Sequence, residues 1–269
     1  MRRATISRVS DEILVVRCGL VPYEEALVGQ RWLESARQED EVPDVLLLLE
    51  HPPVYTRGRR ADEAELPMRR EWYEMQGIEV HDTDRGGRVT YHGPGQLVAY
   101  PIVSLKPYRD DVHEYVRRLE RVAIEALAEH GVAARTIEGL TGVWTEGSPP
   151  PCADGPKTGR LSTGFGPSAT AAGVVARKIG SIGVHVSRGV TTHGLAINVD
   201  NDLQPFEWIV PCGIDDCRVT SLSRELGAEQ GLDAFADTVA ARFAAVFDRT
   251  PVATEPRALG LDNARLGIA

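Results

Sequence analysis

The stretch DRGGRVTYHGPGQLVAYP, residues 84–101, constrains the chain more than any other. Gly86 and Gly87 precede a short β-like run over 88–91, Gly93-Pro94-Gly95 follow it, and a second apolar run covers 97–103. Glycine lets the backbone take positive φ and lets another group approach where a Cβ would stand. Strand ends bracketed in this way either wall a pocket or close a tight hairpin whose glycines only turn the chain. Spacing alone leaves both open.

Around this stretch the periodicities alternate between strand and helix. Residues 13–16 and 45–49 are short apolar runs expected to be buried strands, and between them Tyr23, Ala26, Leu27, Leu33 and Ala36 recur near helical spacing behind Pro22. A short helix over 68–76 ends at Gly77, and 78–81 reads as a strand. The clearest helix covers 112–130, with Val112, Tyr115, Val116, Leu119, Val122, Ala123 and Ala126 in one stripe, which reads as core. Asp111 with Glu114 resembles a capping box, and Gly131 a stop. Residues 140–144 and 179–186 read as strands, and Leu232, Phe235, Val239, Phe243 and Val246 as a last amphipathic helix. The expectation is an α/β fold, a mixed sheet with flanking helices, in a single domain over 1–250. The tail over 251–269 is expected to be loosely held. Over residues 146–173, Gly, Pro, Ser and Thr supply 17 of 28 positions, a composition expected to give a mobile loop, either an inert insertion or a lid.

Composition excludes several classes. No apolar run approaches the roughly 18 residues needed to cross a bilayer, and charges run through 2–17 where a signal peptide would be apolar, so a cytoplasmic protein is expected. A net charge of −9 opposes general nucleic-acid binding. An acidic partner would have to use a local basic patch, with Arg57, Arg59 and Arg60, joined by Arg69 and Arg70, as the candidates; the same cluster also reads as merely solvated. Cys18, Cys152, Cys212 and Cys217 are too few and scattered for a disulfide scaffold. Cys212 and Cys217 have a C-x4-C spacing, but no second Cys or His pair accompanies them, so no metal is expected.

Two residues stand out chemically. Cys212, in Pro211-Cys212-Gly213, follows the apolar run 208–210, which would put it at a strand end beside an unhindered glycine N–H. That setting suits a nucleophile with an oxyanion donor, and also a small buried hydrophobe. A thiol with a pKa of about 8.5 is only slightly ionised at neutral pH, so a nucleophile here needs a cation. Of 30 basic residues only Lys106, Lys157 and Lys178 are lysine, and Lys178 alone opens an apolar strand. A titratable amine is one reading of it; a surface lysine at a strand end is the other.

The string at 84–101 resembles the signature of the octanoyl-[acyl-carrier-protein]:protein N-octanoyltransferases (lipoyl(octanoyl) transferases) nearly residue for residue. KIGSIGV at 178–184, THGLAIN at 192–198, IVPCGI at 209–214 and EHPPVYTRGRR at 50–60 fit the same family in the same order, so the resemblance covers about 14–222. It implies a biotin/lipoate protein ligase-like catalytic domain. It also implies Cys212 as the acyl-thioester cysteine and Lys178 as the lysine that lowers its pKa and moves the proton. The acyl substrate would be bound by Arg85, Gly86, Gly87, Arg88, Val89, Thr90, Tyr91 and His92, by Ser181, Ile182 and Gly183, and by Gly194, Leu195 and Ala196. His92 and His193 become wall and hydrogen-bond residues rather than a protease dyad. The loop over 146–173 departs from the family pattern, which joins the flanking strands more briefly.

The implied reaction is ping-pong acyl transfer from octanoyl-acyl-carrier protein to a lysine of lipoyl domains, in 2-oxoacid dehydrogenase E2 subunits or the glycine-cleavage H protein, with no cofactor and no ATP. Two alternatives stand beside it. Lipoate and biotin ligases share the fold but activate a free acid with ATP; Arg57-Gly58-Arg59-Arg60 lacks the repeated glycine of their loop, and no G-x-x-x-x-G-K-S/T occurs. A non-catalytic acyl-binding module would keep the pocket and have no use for Cys212 with Lys178.

Overall fold

The run DVLLLLE at 44–50 is apolar on both faces of a strand, and such a run belongs in the middle of a sheet covered on both sides. That is its place in the structure, a computed structural model that describes residues 11–108, 110–146, 175–210 and 217–261. Along the chain the elements are β1 (Glu12–Leu20), α1 (Tyr23–Gln38), β2 (Asp44–Glu50), β3 (Val54–Arg57), α2 (Arg70–Met75), β4 (Glu79–Asp82), β5 (Val89–His92) and β6 (Gln96–Ile102). Then come α3 (Val112–Glu129), β7 (Ala134–Ile137), β8 (Leu140–Thr145), β9 (Lys178–Ser187), β10 (Val190–Asn198), α4 (Leu222–Leu226), α5 (Leu232–Val246) and β11 (Thr250–Thr254).

Eight strands form one mixed sheet in the order β11-β1-β2-β6-β10-β9-β8-β7, and β4-β3-β5 form a small second sheet. The pairs β11/β1 and β1/β2 are parallel; from β2 to β7 every pair is antiparallel. Side chains alternate across β2. Leu46 and Leu48 join Leu119, Val122, Phe235 and Phe243 of α3 and α5, while Val45, Leu47 and Leu49 join Ala26 and Leu33 of α1. Each fully buried Leu contributes about 1.5–3 kcal/mol, so Leu46→Ala, which also leaves a cavity, would cost about 2–5 kcal/mol.

The predicted α3 is present, and Asp111 Oδ1 accepts from the backbone N–H of His113 and Glu114 at 2.9 and 3.0 Å. The capping box is only half made. The Glu114 carboxylate turns instead to Arg117 and Arg118, each 3.1 Å away. No helix among the described residues is long and apolar enough to cross a membrane.

Two expectations are corrected. As far as Leu261 the chain beyond Thr250, expected to be loosely held, is ordered into the fold: Thr250–Thr254 form β11 alongside β1, and Leu259 and Leu261 join the buried cluster of Leu47, Leu49 and α1's Leu33, while residues 262–269 lie outside the described residues. Its five-residue pairing with a strand at the other end of the chain leaves no local periodicity to read. The apolar run 208–210 is not a strand: Gln204–Trp208 is a 3-10 helix, which Pro205 at its first turn favours by lacking an N–H to donate. Of the 146–173 segment only Glu146 lies within the described residues.

Candidate active site

The floor of the site is laid by β6, β10 and β9, whose registers put Val98, Ala196 and Ser181 in one cross-strand row and Gly194 beside Gly183 in the next. These are small side chains in the middle of a wide sheet, so space remains above them. The glycines there serve backbone approach. A Cβ on Gly183 would stand 2.8 Å from the Gly86 carbonyl oxygen, and one on Gly194 would strike Ala99 and Pro101 of the neighbouring strand.

Over this floor lies the glycine-rich lip. The Gly86 N–H donates to Val184 O at 2.9 Å, docking the lip on β9, and Gly87 turns it with φ +90°. Arg85 is buried beneath and holds the lip's shape. Its guanidinium donates to Thr56 O at 2.7 Å, Arg88 O at 2.9 Å and Gly86 O at 3.0 Å. Arg88 is paired with Glu65. The lining also takes in Val112, Val116 and Glu120 of α3 and residues 136–141 of the β7–β8 hairpin. Together they line an open-sided cavity of about 1080 Å³.

Of the expected acyl-binding residues, Arg85, Gly86, Gly87, Arg88, Val89, Thr90, His92, Ser181, Ile182, Gly183, Gly194, Leu195 and Ala196 all line this cavity. Tyr91 does not. It lies between Thr90 and His92 on β5, so its side chain takes the other face of the strand and packs on Tyr55 and Phe206.

Lys178 lines the same cavity and is only 4% exposed. It opens β9 at an irregularity: Val143 pairs with Gly180 but Trp144 pairs with Lys178, so Ile179 is an extra residue. Such a bulge re-aims the neighbouring side chain. The ammonium lies 5.5 Å from the centroid of the Trp144 ring. The lysine backbone is fixed on its other edge, its N–H donating to Arg218 O at 2.7 Å and its carbonyl accepting from Thr220 N–H at 2.9 Å. Arg177, paired with Glu225 at 2.7 Å, anchors the approach to the strand. Cys212, with Pro211 and Gly213, lies outside the described residues.

At the α1 side of the cavity stand Tyr23, His92, Tyr100 and His193. His51 lies behind them, with Nδ1 2.7 Å from Val21 O and Nε2 2.8 Å from the Tyr100 hydroxyl. Burial pushes His51 down to about 4 and holds His92 well below the usual histidine range. His193 is also lowered by burial, against the pull of Asp84 2.7 Å away. Asp84 is held at about 2, chiefly by its hydrogen bond from His193. His92 Nδ1 is 2.7 Å from Gln96 Oε1. Both cavity histidines are therefore neutral at pH 7 and committed to neighbours.

The expected basic patch divides. Arg59 and Arg60 are exposed, and Arg60 reaches the cavity rim; Arg57 pairs with Asp82 at 3.3 Å; Arg70 donates to Val80 O at 2.6 Å, with Arg69 exposed beside it. The cavity lining from α3 has little mark in the sequence. Its one signal is a charged residue completing an i, i+4 row, Val112-Val116-Glu120, along the flank of an apolar stripe.

Residues 22–244 match the family model of the lipoyl protein ligase A/B catalytic domain. An octanoyltransferase of Myxococcus xanthus is 42% identical over 248 residues, which cover 91% of this chain and 62% of that protein. The chain thus spans less than two thirds of the Myxococcus relative. An octanoyltransferase of Chloroflexus aggregans is 42% identical over 241 residues, 89% of this chain and 97% of that one. Among solved structures, the bipartite lipoate protein ligase of an archaeal lipoylation system from Thermoplasma acidophilum superposes with a TM-score of 0.65 at 15% identity, over 92% of this chain and 90% of that one. That likeness is one of fold, and it is the ligase-like fold expected.

Proposed function

Because the chain belongs to the lipoyl protein ligase A/B catalytic-domain family, among its octanoyltransferases, we propose that its cavity passes an octanoyl group from acyl-carrier protein to a lipoyl-domain lysine by way of Cys212. The observation that carries this reading is Lys178, a nearly buried amine in the same cavity as the glycine-rich lip and the small-residue floor. Arg218 and Thr220, which follow Cys212 closely in sequence, are hydrogen-bonded to the Lys178 backbone.

In the first half-reaction the Cys212 thiolate attacks the thioester carbonyl carbon. The new C–S bond forms as the bond to the phosphopantetheine sulfur breaks, and that sulfur leaves with the proton Lys178 took from Cys212. In the second, the amine of the acceptor lysine attacks the octanoyl-cysteine, Cys212 leaves as thiolate, and Lys178 takes the amine's proton. The first exchange is nearly even in energy and the second is downhill, so no ATP enters. Burying seven alkyl carbons contributes about 5 kcal/mol at about 0.8 per methylene, which favours octanoyl over short acids. Arg60 at the rim, with exposed Arg59 beside it in sequence, is where an acidic carrier would dock. The acceptors in this reading are lipoyl domains of 2-oxoacid dehydrogenase E2 subunits and the glycine-cleavage H protein, and the protein works in the cytoplasm.

The test is an intact mass after mixing the protein with octanoyl-acyl-carrier protein without ATP. One octanoyl adduct is expected, removed by hydroxylamine, absent from Cys212→Ser and greatly slowed in Lys178→Ala. Transfer that instead required ATP and free octanoate would identify a ligase.

A further inference from the structure

Glu120 is a carboxylate on a helix flank that otherwise carries Val112 and Val116, and it is only 8% exposed. A carboxylate withdrawn from water in this way is costly unless its oxygens are occupied. Its Oε1 accepts the backbone N–H of Gly142 at 3.1 Å. Gly142 needs that acceptor. It lies in β8 within the slip of the β7 ladder between Arg135 and Ile137, one residue before the β9 ladder slips between Val143 and Trp144. A strand amide left out of the ladder needs another acceptor, and here the Glu120 carboxylate supplies it.

Gly142 in turn bears directly on the lysine. Its φ is +124°, a conformation that L side chains rarely adopt. A Cβ there would stand 2.9 Å from Lys178 Cε and 3.4 Å from Nζ, so the bare glycine backbone forms the surface against which the lysine's last carbons lie. Two residues further along the same strand, the Trp144 ring lies 5.5 Å from the ammonium. Strand β8 is thus one side of the lysine's housing, and α3 reaches it both through the packing around Val143 and through the Glu120–Gly142 hydrogen bond.

We infer that Glu120 is a positioning residue for Lys178: by accepting the Gly142 N–H it fixes the strand against which the lysine lies, and so sets where the ammonium reaches into the cavity. Burial raises the Glu120 carboxyl above its usual range, while the Gly142 amide, Arg117 and Lys178 pull it back. The inference rests on the reading of Lys178 as the proton-transfer group.

Steady-state octanoyl transfer tests it with Glu120→Asp, Glu120→Gln and Glu120→Ala, each beside a thermal melt, and with Lys178→Ala in parallel. Asp keeps the charge but withdraws the oxygen by one methylene, and Gln keeps an oxygen in reach without the charge. The expected result is kcat lowered about tenfold or more in Glu120→Asp and Glu120→Ala with donor KM within about twofold, because small misplacements of a reacting group carry penalties of that size. Glu120→Gln should return to within about threefold of the parent. Should the Ala variant not fold, the Asp and Gln pair decides. The inference is overturned if Glu120→Asp matches the parent, if Glu120→Gln is no better than Glu120→Asp, or if KM rises in step with the loss. An active Lys178→Ala would overturn the reading beneath it; an inactive Lys178→Ala with unaffected Glu120 variants would overturn this inference alone.

Discussion

His193 Nε2 and Asp84 Oδ1 lie 2.7 Å apart, tying β10 to the residue just before the glycine-rich lip. The histidine is held in the left-handed region, φ +57°, and its backbone N–H donates to Gln30 Oε1 at 2.7 Å. With Asp84 ionised down to about pH 2, the ring proton on Nε2 is the one donated. Asp84→Ala would leave that buried N–H without its acceptor and is expected to cost about 1–3 kcal/mol. Asp84→Asn keeps an accepting oxygen and should cost less. Urea unfolding of the two variants measures this, and an Ala variant as stable as the parent would show that the pair contributes nothing to the fold.

Stability should fall on mild acidification. His51, His92 and His193 are all lowered by burial, so near pH 6.5 the unfolded chain takes up protons that the folded chain refuses. Their contribution is complete above about 6.5 and is lost as pH falls toward and through about 4, the value of His51. Asp84, a depressed carboxyl, adds stability that disappears only lower, as pH drops from the usual carboxyl range toward about 2. Each proton of difference is worth about 1.4 kcal/mol per pH unit. Melting temperatures at pH 7.5, 6, 5 and 4.5 should decline steadily below 6.5, and a flat profile across that window would mean the histidines are not held neutral.

Two glycines of the site should respond differently to a methyl group. In Gly194→Ala the new Cβ would overlap the Ala99 carbonyl oxygen and stand 2.6 Å from Pro101 Cδ, both on the adjacent central strand, so the sheet itself must yield. A loss of about 3 kcal/mol is expected, at the upper end for overpacking. In Gly86→Ala the only near atom is Val184 O at 3.3 Å and the backbone is not left-handed, so about 1 kcal/mol or less is expected. Chemical denaturation separates the two. A Gly194→Ala protein of parental stability would sink the view that this glycine serves the sheet.

Much of this was readable in residues 84–101 and 178–198, because glycines required by close backbone approach and a lone strand lysine are local facts of sequence. Tyr91 belongs to a segment that matches as a whole, but the two-residue alternation of β5 sends its side chain away from Thr90 and His92. The α3 stripe reads as core from its period alone. Tyr115 and Leu119 do face the sheet, but Val112, Val116 and Glu120 lie one row round the helix and face the cavity. Nothing in the helical period distinguishes a flank that meets a neighbour from one that meets a space. The β8 slip at Gly142 has no local sign at all, since it arises from pairing with strands on both sides.

The same kind of long-range pairing decides the last prediction. β11 is an edge strand, which is why Pro251 is tolerated opposite Ile13. Ending the chain after Arg249 would strip that edge from β1 and remove Leu259 and Leu261, the latter only 1% exposed. The two leucines together account for about 3–6 kcal/mol of burial. For a protein of this size that corresponds to a fall of about 10 °C in Tm. The bared, apolar β1 would also present unpaired N–H and C=O groups to other chains, so aggregation that grows with protein concentration should accompany the loss. Differential scanning calorimetry and light scattering on the shortened protein check both, and a parental melt from a monomeric sample would return the segment to the status of a loosely held tail.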